Sequence, residues 1–202
     1  MNHTLVILIH GFNVRDSGLG SIQKLAPYFR EWPGTTVRAF NYGWKFLLGV
    51  RKWNDDLAED LAQQIHQSYD QGYKRIIVVG HSNGCAIAHL ASFHLHLPVE
   101  YVYINPALER ELVPSQMVSR IDVWHNRKDK AVAWSRLLFI PSSNRPWGLM
   151  GKCGYKGGDD RFLNYDTIND FPYMAKGHSA VFSRRNIGFY GPTIVRLTMV
   201  GR

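Results

Sequence analysis

The sequence predicts an α/β fold built around a mainly parallel sheet, and three observations point there. Thr4–Ile9 and Arg75–Val79 hold unbroken branched apolar runs of strand length, as suits parallel strands covered on both faces. Segments with helical spacing separate the strand-like segments, which gives the strand–helix–strand succession of that class. At 202 residues, with 45% apolar and 20% charged residues, the chain has the make-up of one globular domain, residues 1–202.

In order along the chain, Thr4–Ile9 is the first expected strand and Thr36–Phe40 a second with weaker patterning. Asn54 reads as the cap of a helix, with Asp55 and Asp56 complementing its positive end and Leu57, Leu61 and Ile65 recurring every four residues. Arg75–Val79 is the strongest strand and stops at Gly80. An Ala-rich helix follows over Asn83–His96, ended by Pro98. Glu100–Asn105 and Ile121–Trp124 are the next strands, and Gly191-Pro192 starts a closing helix that runs on through Ile194–Val200. Between Lys130 and Arg161 the chain is irregular, with Pro141, Pro146 and five glycines from Gly148 to Gly158. A long irregular stretch in a compact domain suits a binding loop or partial lid.

Several function classes are set aside. No apolar stretch reaches the ~20 residues of a membrane span, and the first residues do not read as a cleavable leader, so a cytoplasmic location is expected. Two cysteines are too few for a disulfide scaffold. The net charge of +8 is spread out, with short clusters at Arg51-Lys52, Arg127-Lys128 and Arg184-Arg185. That scatter argues against nucleic-acid binding as the main role, while contact with nucleic acid or anionic membrane stays open. Cys85-x-x-x-His89 and His94-x-His96 lack partners for a four-ligand zinc site, so no metal is expected. The glycine-rich stretch 148–158 lacks phosphate-loop spacing.

Chemistry concentrates at Gly80-His81-Ser82-Asn83-Gly84, a G-x-S-x-G pattern set between the best strand and a helix. A serine on such a sharp turn stands out from the sheet edge, beside a helix N-terminus that favours negative charge. Its hydroxyl needs a base. Of the histidines after Ser82, His89, His94 and His96 sit on the following helix, and His125, at a strand end, lacks an acid in the right place upstream of it. His178, in Lys176-Gly177-His178-Ser179, is the candidate. Asp129, just past the Ile121–Trp124 strand, is the candidate acid, with Asp159, Asp160, Asp166 and Asp170 as rivals. Asp122 falls at the wrong strand end. Two main-chain amides are expected to form an oxyanion hole: Phe12, in the His10-Gly11-Phe12-Asn13 turn, and Asn83. Asn13 closes that turn or adds a side-chain contact.

These pieces resemble the α/β-hydrolase superfamily, in particular its small serine-hydrolase members with an H-G-F-N turn. The resemblance runs over about residues 4 to 200 and implies a Ser82–Asp129–His178 triad with Phe12 and Asn83 as oxyanion donors. It starts at what would be the superfamily's third strand, which implies a compact sheet, no large cap and a fairly open site. The activity implied is hydrolysis of a small-molecule carboxylic ester without a cofactor. Thioester or amide hydrolysis, acyl transfer and a non-catalytic binding protein with a basic surface are the alternatives. Tyr42, Trp44 and Trp147 are candidates for the substrate pocket, beside Phe12.

Overall fold

A computed structural model describes residues 3–12, 14–43, 50–135, 147–171 and 175–200. Six strands form one sheet: β1 (His3–Ile9), β2 (Thr35–Phe40), β3 (Tyr73–His81), β4 (Val99–Ile104), β5 (Val118–His125) and β6 (Phe162–Asp166). Their order is β2-β1-β3-β4-β5-β6, and every neighbouring pair is parallel. Helices α1 (Ala26–Arg30), α2 (Val50–Asp70), α3 (Asn83–Ala91), α4 (Lys130–Ser135), α5 (Met150–Cys153) and α6 (Ile187–Val200) complete the fold.

The continuous apolar runs follow from burial on both faces. Leu5, Ile7 and Ile9 of β1, with Ile76 and Val78 of β3, pack in a layer with Leu61 and Ile65 of α2 and Ile87 of α3. The alternate residues Val6, Leu8, Ile77 and Val79 pack with Phe29 of α1 and Tyr190 and Ile194 of α6. Parallel strands sandwiched in this way have no polar face to show. The edges explain the weaker pattern of β2, which buries only Phe40, and the absence of β6 from the strands expected in the sequence, since it buries only Phe162 and Asp166.

Three helices depart from their expected limits, and β3 and β5 run two or three residues longer at their starts than expected. Helix α2 starts at Val50, four residues before Asn54, so Asn54 is not a cap. Its buried side chain instead exchanges hydrogen bonds with Asn83 on α3, and this tertiary pairing overrides the capping preference. Helix α6 starts at Ile187, which leaves Pro192 inside the helix rather than in its first turn. The earlier start carries Tyr190 into the core, and Gly191 lies where a Cβ would strike the Tyr28 ring at 2.4 Å. Helix α3 stops at Ala91 and continues as a 3-10 turn through Ser92–His94.

Arginines fasten the far end of α6 to the sheet. Arg75 donates to the carbonyls of Thr198 and Met199 and grips Glu100 with two nitrogens at 2.6 and 2.8 Å; Arg120 donates to the Leu197 carbonyl. Carbonyls at a helix C-terminus lack intrahelical partners and attract cations. Within 130–161, α4 and α5 are short helices, and residues 136–146 lie outside the described residues. No helix among the described residues is long and apolar enough to cross a membrane.

Trp124 on β5 is fully buried, stacked on Tyr165 at 4.7 Å and Phe171 at 5.2 Å, with Tyr190 edge-on. Trp124→Ala should therefore cost about 3–5 kcal/mol. The expected readout is a lower urea midpoint with an unchanged slope.

Candidate active site

Ser82 links β3 to α3 with φ +54° and ψ −119°, a backbone conformation that side-chain-bearing residues rarely adopt. Such strain costs on the order of 1–3 kcal/mol and persists where the surroundings enforce it. Here the Ser82 amide donates to the Ile104 carbonyl at 3.1 Å, and its own carbonyl accepts from Cys85 at 3.1 Å and Ala107 at 3.2 Å. Glycines make the close approaches possible. A Cβ on Gly80 would lie 2.8 Å from the Cys85 nitrogen, and one on Gly84 would lie 2.6 Å from the carbonyl oxygens of Ile9 and His10. A Cβ on Gly11 would come within 3.1 Å of the Ser82 Cβ, so the turn after β1 lies directly against the serine.

His178 and Asp129 meet. The imidazole Nδ1 donates to Asp129 Oδ2 at 2.8 Å, while Oδ1 accepts the Val132 amide at 3.0 Å. Asp129 is thus fixed in the place of an N-terminal cap of α4. Its side chain is 0% exposed, against 21% for His178. With Nδ1 donating, Nε2 is the ring nitrogen left to accept a proton. The rival acids are engaged elsewhere or exposed. Asp159 pairs with Arg161 at 2.6 Å, Asp166 accepts from Ile168 and Asn169, Asp170 accepts the Asp166 amide, and Asp160 is exposed. Asp122 pairs with Arg120.

The main chain of His178 is held beside the elbow. His81 Nε2 donates to the His178 carbonyl at 3.1 Å, and the two rings lie 4.8 Å apart. Burial, reinforced by the charge of His178, pushes the His81 pKa down to about 3. His81 therefore stays neutral. His10, lowered by burial, donates from Nδ1 to the Gly11 carbonyl at 2.8 Å. Sequence reading assigned neither histidine a role, although both sit in the two motifs.

Phe12 lies 5.4 Å from Trp147, and with Val50 and Ala107 they form a small apolar cluster apart from the two main cores. Asn83 stands at the start of α3, where the first amides have no intrahelical partner. Its side chain accepts from Asn54 at 3.0 Å and from Trp147 Nε1 at 2.8 Å. Tyr42 is buried, stacks on His10 at 4.1 Å and shares its hydroxyl proton between the His10 and Gly11 carbonyls. It thereby braces the turn from behind. Trp44 and Asn13 lie outside the described residues. Among the described residues, no group of three or more His, Cys, Asp or Glu side chains is placed to hold a metal. Cys85 is buried against the Ile104 carbonyl, and His89 meets Phe93 edge-on.

No family model and no curated protein matches this sequence. Solved structures do match its fold. A protein assigned to the alpha/beta hydrolase superfamily from Xanthomonas campestris pv. campestris is 18% identical, with a TM-score of 0.54 over 98% of this chain and 99% of its own. Esterase PE8 is 16% identical, with a TM-score of 0.57 over 95% and 91% of the two chains. TT1662 from Thermus thermophilus is 13% identical, with a TM-score of 0.57 over 96% and 89%. The chain has the α/β-hydrolase fold.

Besides His10 and His81, His89 (to about 4) and His125 are lowered, all chiefly by burial. His81 and His89 are uncharged when folded and take a proton near pH 6.5 once unfolded, and burial acts in the same direction on His10 and His125. The stability they contribute is full above that pH and is lost as pH falls toward their folded values. The urea midpoint should drop steadily from pH 7 to pH 5, and His81→Gln should flatten that dependence.

Proposed function

We propose that the protein is a serine hydrolase that cleaves a carboxylic ester through an acyl-enzyme. One observation carries this reading: the His178–Asp129 bond, on a loop whose main chain is tied to His81, the residue just before the strained Ser82. A serine hydroxyl gains nucleophilicity when a neighbouring imidazole takes its proton, and a buried carboxylate orients that imidazole and stabilises its charged form.

In this mechanism Ser82 Oγ attacks the ester carbonyl as His178 Nε2 accepts the hydroxyl proton. Asp129 stays ionised beside the imidazolium. The carbonyl oxygen becomes an oxyanion and is met by the main-chain amides of Phe12 and Asn83, the latter aided by the positive end of α3. Collapse expels the alcohol, which takes the proton from His178. Water then enters, loses a proton to His178, and releases the acid while Ser82 is restored. Phe12 and Trp147 offer an apolar wall for the acyl group, and Tyr42 acts indirectly by bracing the turn that carries Phe12.

Thioester, amide and acyl-transfer chemistry would use the same three side chains, and the ester is placed first because esterase PE8 is among the proteins that share the fold. A fluorophosphonate should label the wild type on Ser82 and leave Ser82→Ala unlabelled. With a short nitrophenyl ester, Ser82→Ala or His178→Ala should lower kcat by about 10⁶-fold. Asp129→Asn should lower it by about 10⁴-fold. Labelling at another residue, or wild-type turnover retained in Ser82→Ala, would refute the assignment.

A further inference from the structure

We infer that Asn105 and Asn126 are positioning residues for His178, holding the imidazole through the main chain of its loop; this rests on the hydrolase reading above. The two asparagines follow β4 and β5 by one residue each, on neighbouring strands where Ile104 pairs with Trp124. Both are fully buried. A primary amide is costly to bury unless its donors and acceptor are used. Their donors are directed chiefly at the loop ahead of and including His178, while Asn126 Oδ1 also accepts the Lys128 amide at 3.1 Å, in the turn that leads to Asp129.

Asn126 grips Gly177 at two points: Nδ2 donates to the Gly177 carbonyl at 3.1 Å, and Oδ1 accepts the Gly177 amide at 3.3 Å. That is the pairing a second peptide strand would make. Asn105 Nδ2 donates to the His178 carbonyl and, at 3.3 Å, to the Gly177 carbonyl. The two side chains also join, Asn126 Nδ2 donating to Asn105 Oδ1 at 3.4 Å. Asn105 has φ +45°, a left-handed conformation that asparagine tolerates better than most residues. Gly177, at φ +116°, gives the loop the bend that presents both carbonyls to these amides.

The division of labour is geometric. Asp129 sets the rotation of the imidazole through Nδ1, but a ring tethered at one atom still moves with its backbone. The amides fix that backbone, and so fix where Nε2 lies relative to Ser82. A displacement of about 1 Å in a reacting group costs roughly 100-fold in rate.

Asn105→Gly removes the amide and tolerates the left-handed backbone, while Asn105→Asp keeps the shape and loses the donor. Asn126→Ala is the third variant. With a short nitrophenyl ester, each should lower kcat by about 10–100-fold, with KM changed by less than about 3-fold, and fluorophosphonate labelling of Ser82 should slow in step. In proton NMR, the downfield signal of the His178 Nδ1–H bonded to Asp129 should broaden or vanish in the variants. Near-UV circular dichroism identifies variants that fold, and those carry the comparison. Unchanged kcat, or an unchanged imidazole signal, in a folded Asn105→Gly or Asn105→Asp protein overturns the inference. If the wild type neither turns over ester nor labels, the hydrolase reading fails by itself. The imidazole signal then decides the positioning role: loss in the variants supports it and persistence overturns it.

Discussion

A serine held at φ +54° between a buried strand and a buried helix is an unfavourable local arrangement, and the surrounding structure is organised to impose it. The main chain of Ser82 is bonded to Ile104, Cys85 and Ala107, so β4 and the segment after it help to enforce the bend. Gly80 and Gly84 let α3 close onto β3 and β1 at distances no side chain would allow. Gly11 lets the turn after β1 reach the serine itself. The same packing that strains the backbone therefore gathers the strand ends around one hydroxyl. Ligands of open α/β sheets bind at the carboxyl ends of the strands, and the candidate site lies there.

Much of this was legible in the sequence because burial on two faces leaves a strong mark. Thr4–Ile9 and Arg75–Val79 can hardly be anything but inner parallel strands, and the G-x-S-x-G pattern after the second fixes the elbow. The weak points have physical causes. β2 and β6 are edge strands with few buried residues, so the pattern of β2 fades and β6 is not among the expected strands. Asn54 has the chemistry of a helix cap, but its amide is spent on Asn83, a partner 29 residues away that local reading cannot see. Pro192 suggested a helix start, yet Tyr190 and the Tyr28–Gly191 contact draw the helix start back to Ile187.

The candidate site divides along the same line. Ser82 and His178 stood out by motif and chain order. Asp129 competed with four other aspartates, and only the folded chain shows which carboxylate faces the imidazole. Asn105 and Asn126 carried no signal at all, because asparagines just past strands look like ordinary turn residues. Tyr42 reads in sequence as a pocket aromatic, and the fold adds a second role, its hydroxyl bracing the turn through the His10 and Gly11 carbonyls. His81 shows how electrostatics serves the same end: burial keeps it neutral, so it lends a donor to the His178 carbonyl without placing a positive charge beside the His178 imidazole.

The most direct test is a crystal structure of the protein after reaction with a small phosphonate, whose tetrahedral phosphorus mimics the adduct at the serine. The account predicts phosphorus bonded to Ser82 Oγ, one phosphoryl oxygen accepting from the Phe12 and Asn83 amides, and His178 Nε2 within hydrogen-bond reach of Oγ. A phosphoryl oxygen turned to solvent with those amides unengaged, or an imidazole displaced out of reach of Oγ, would contradict it.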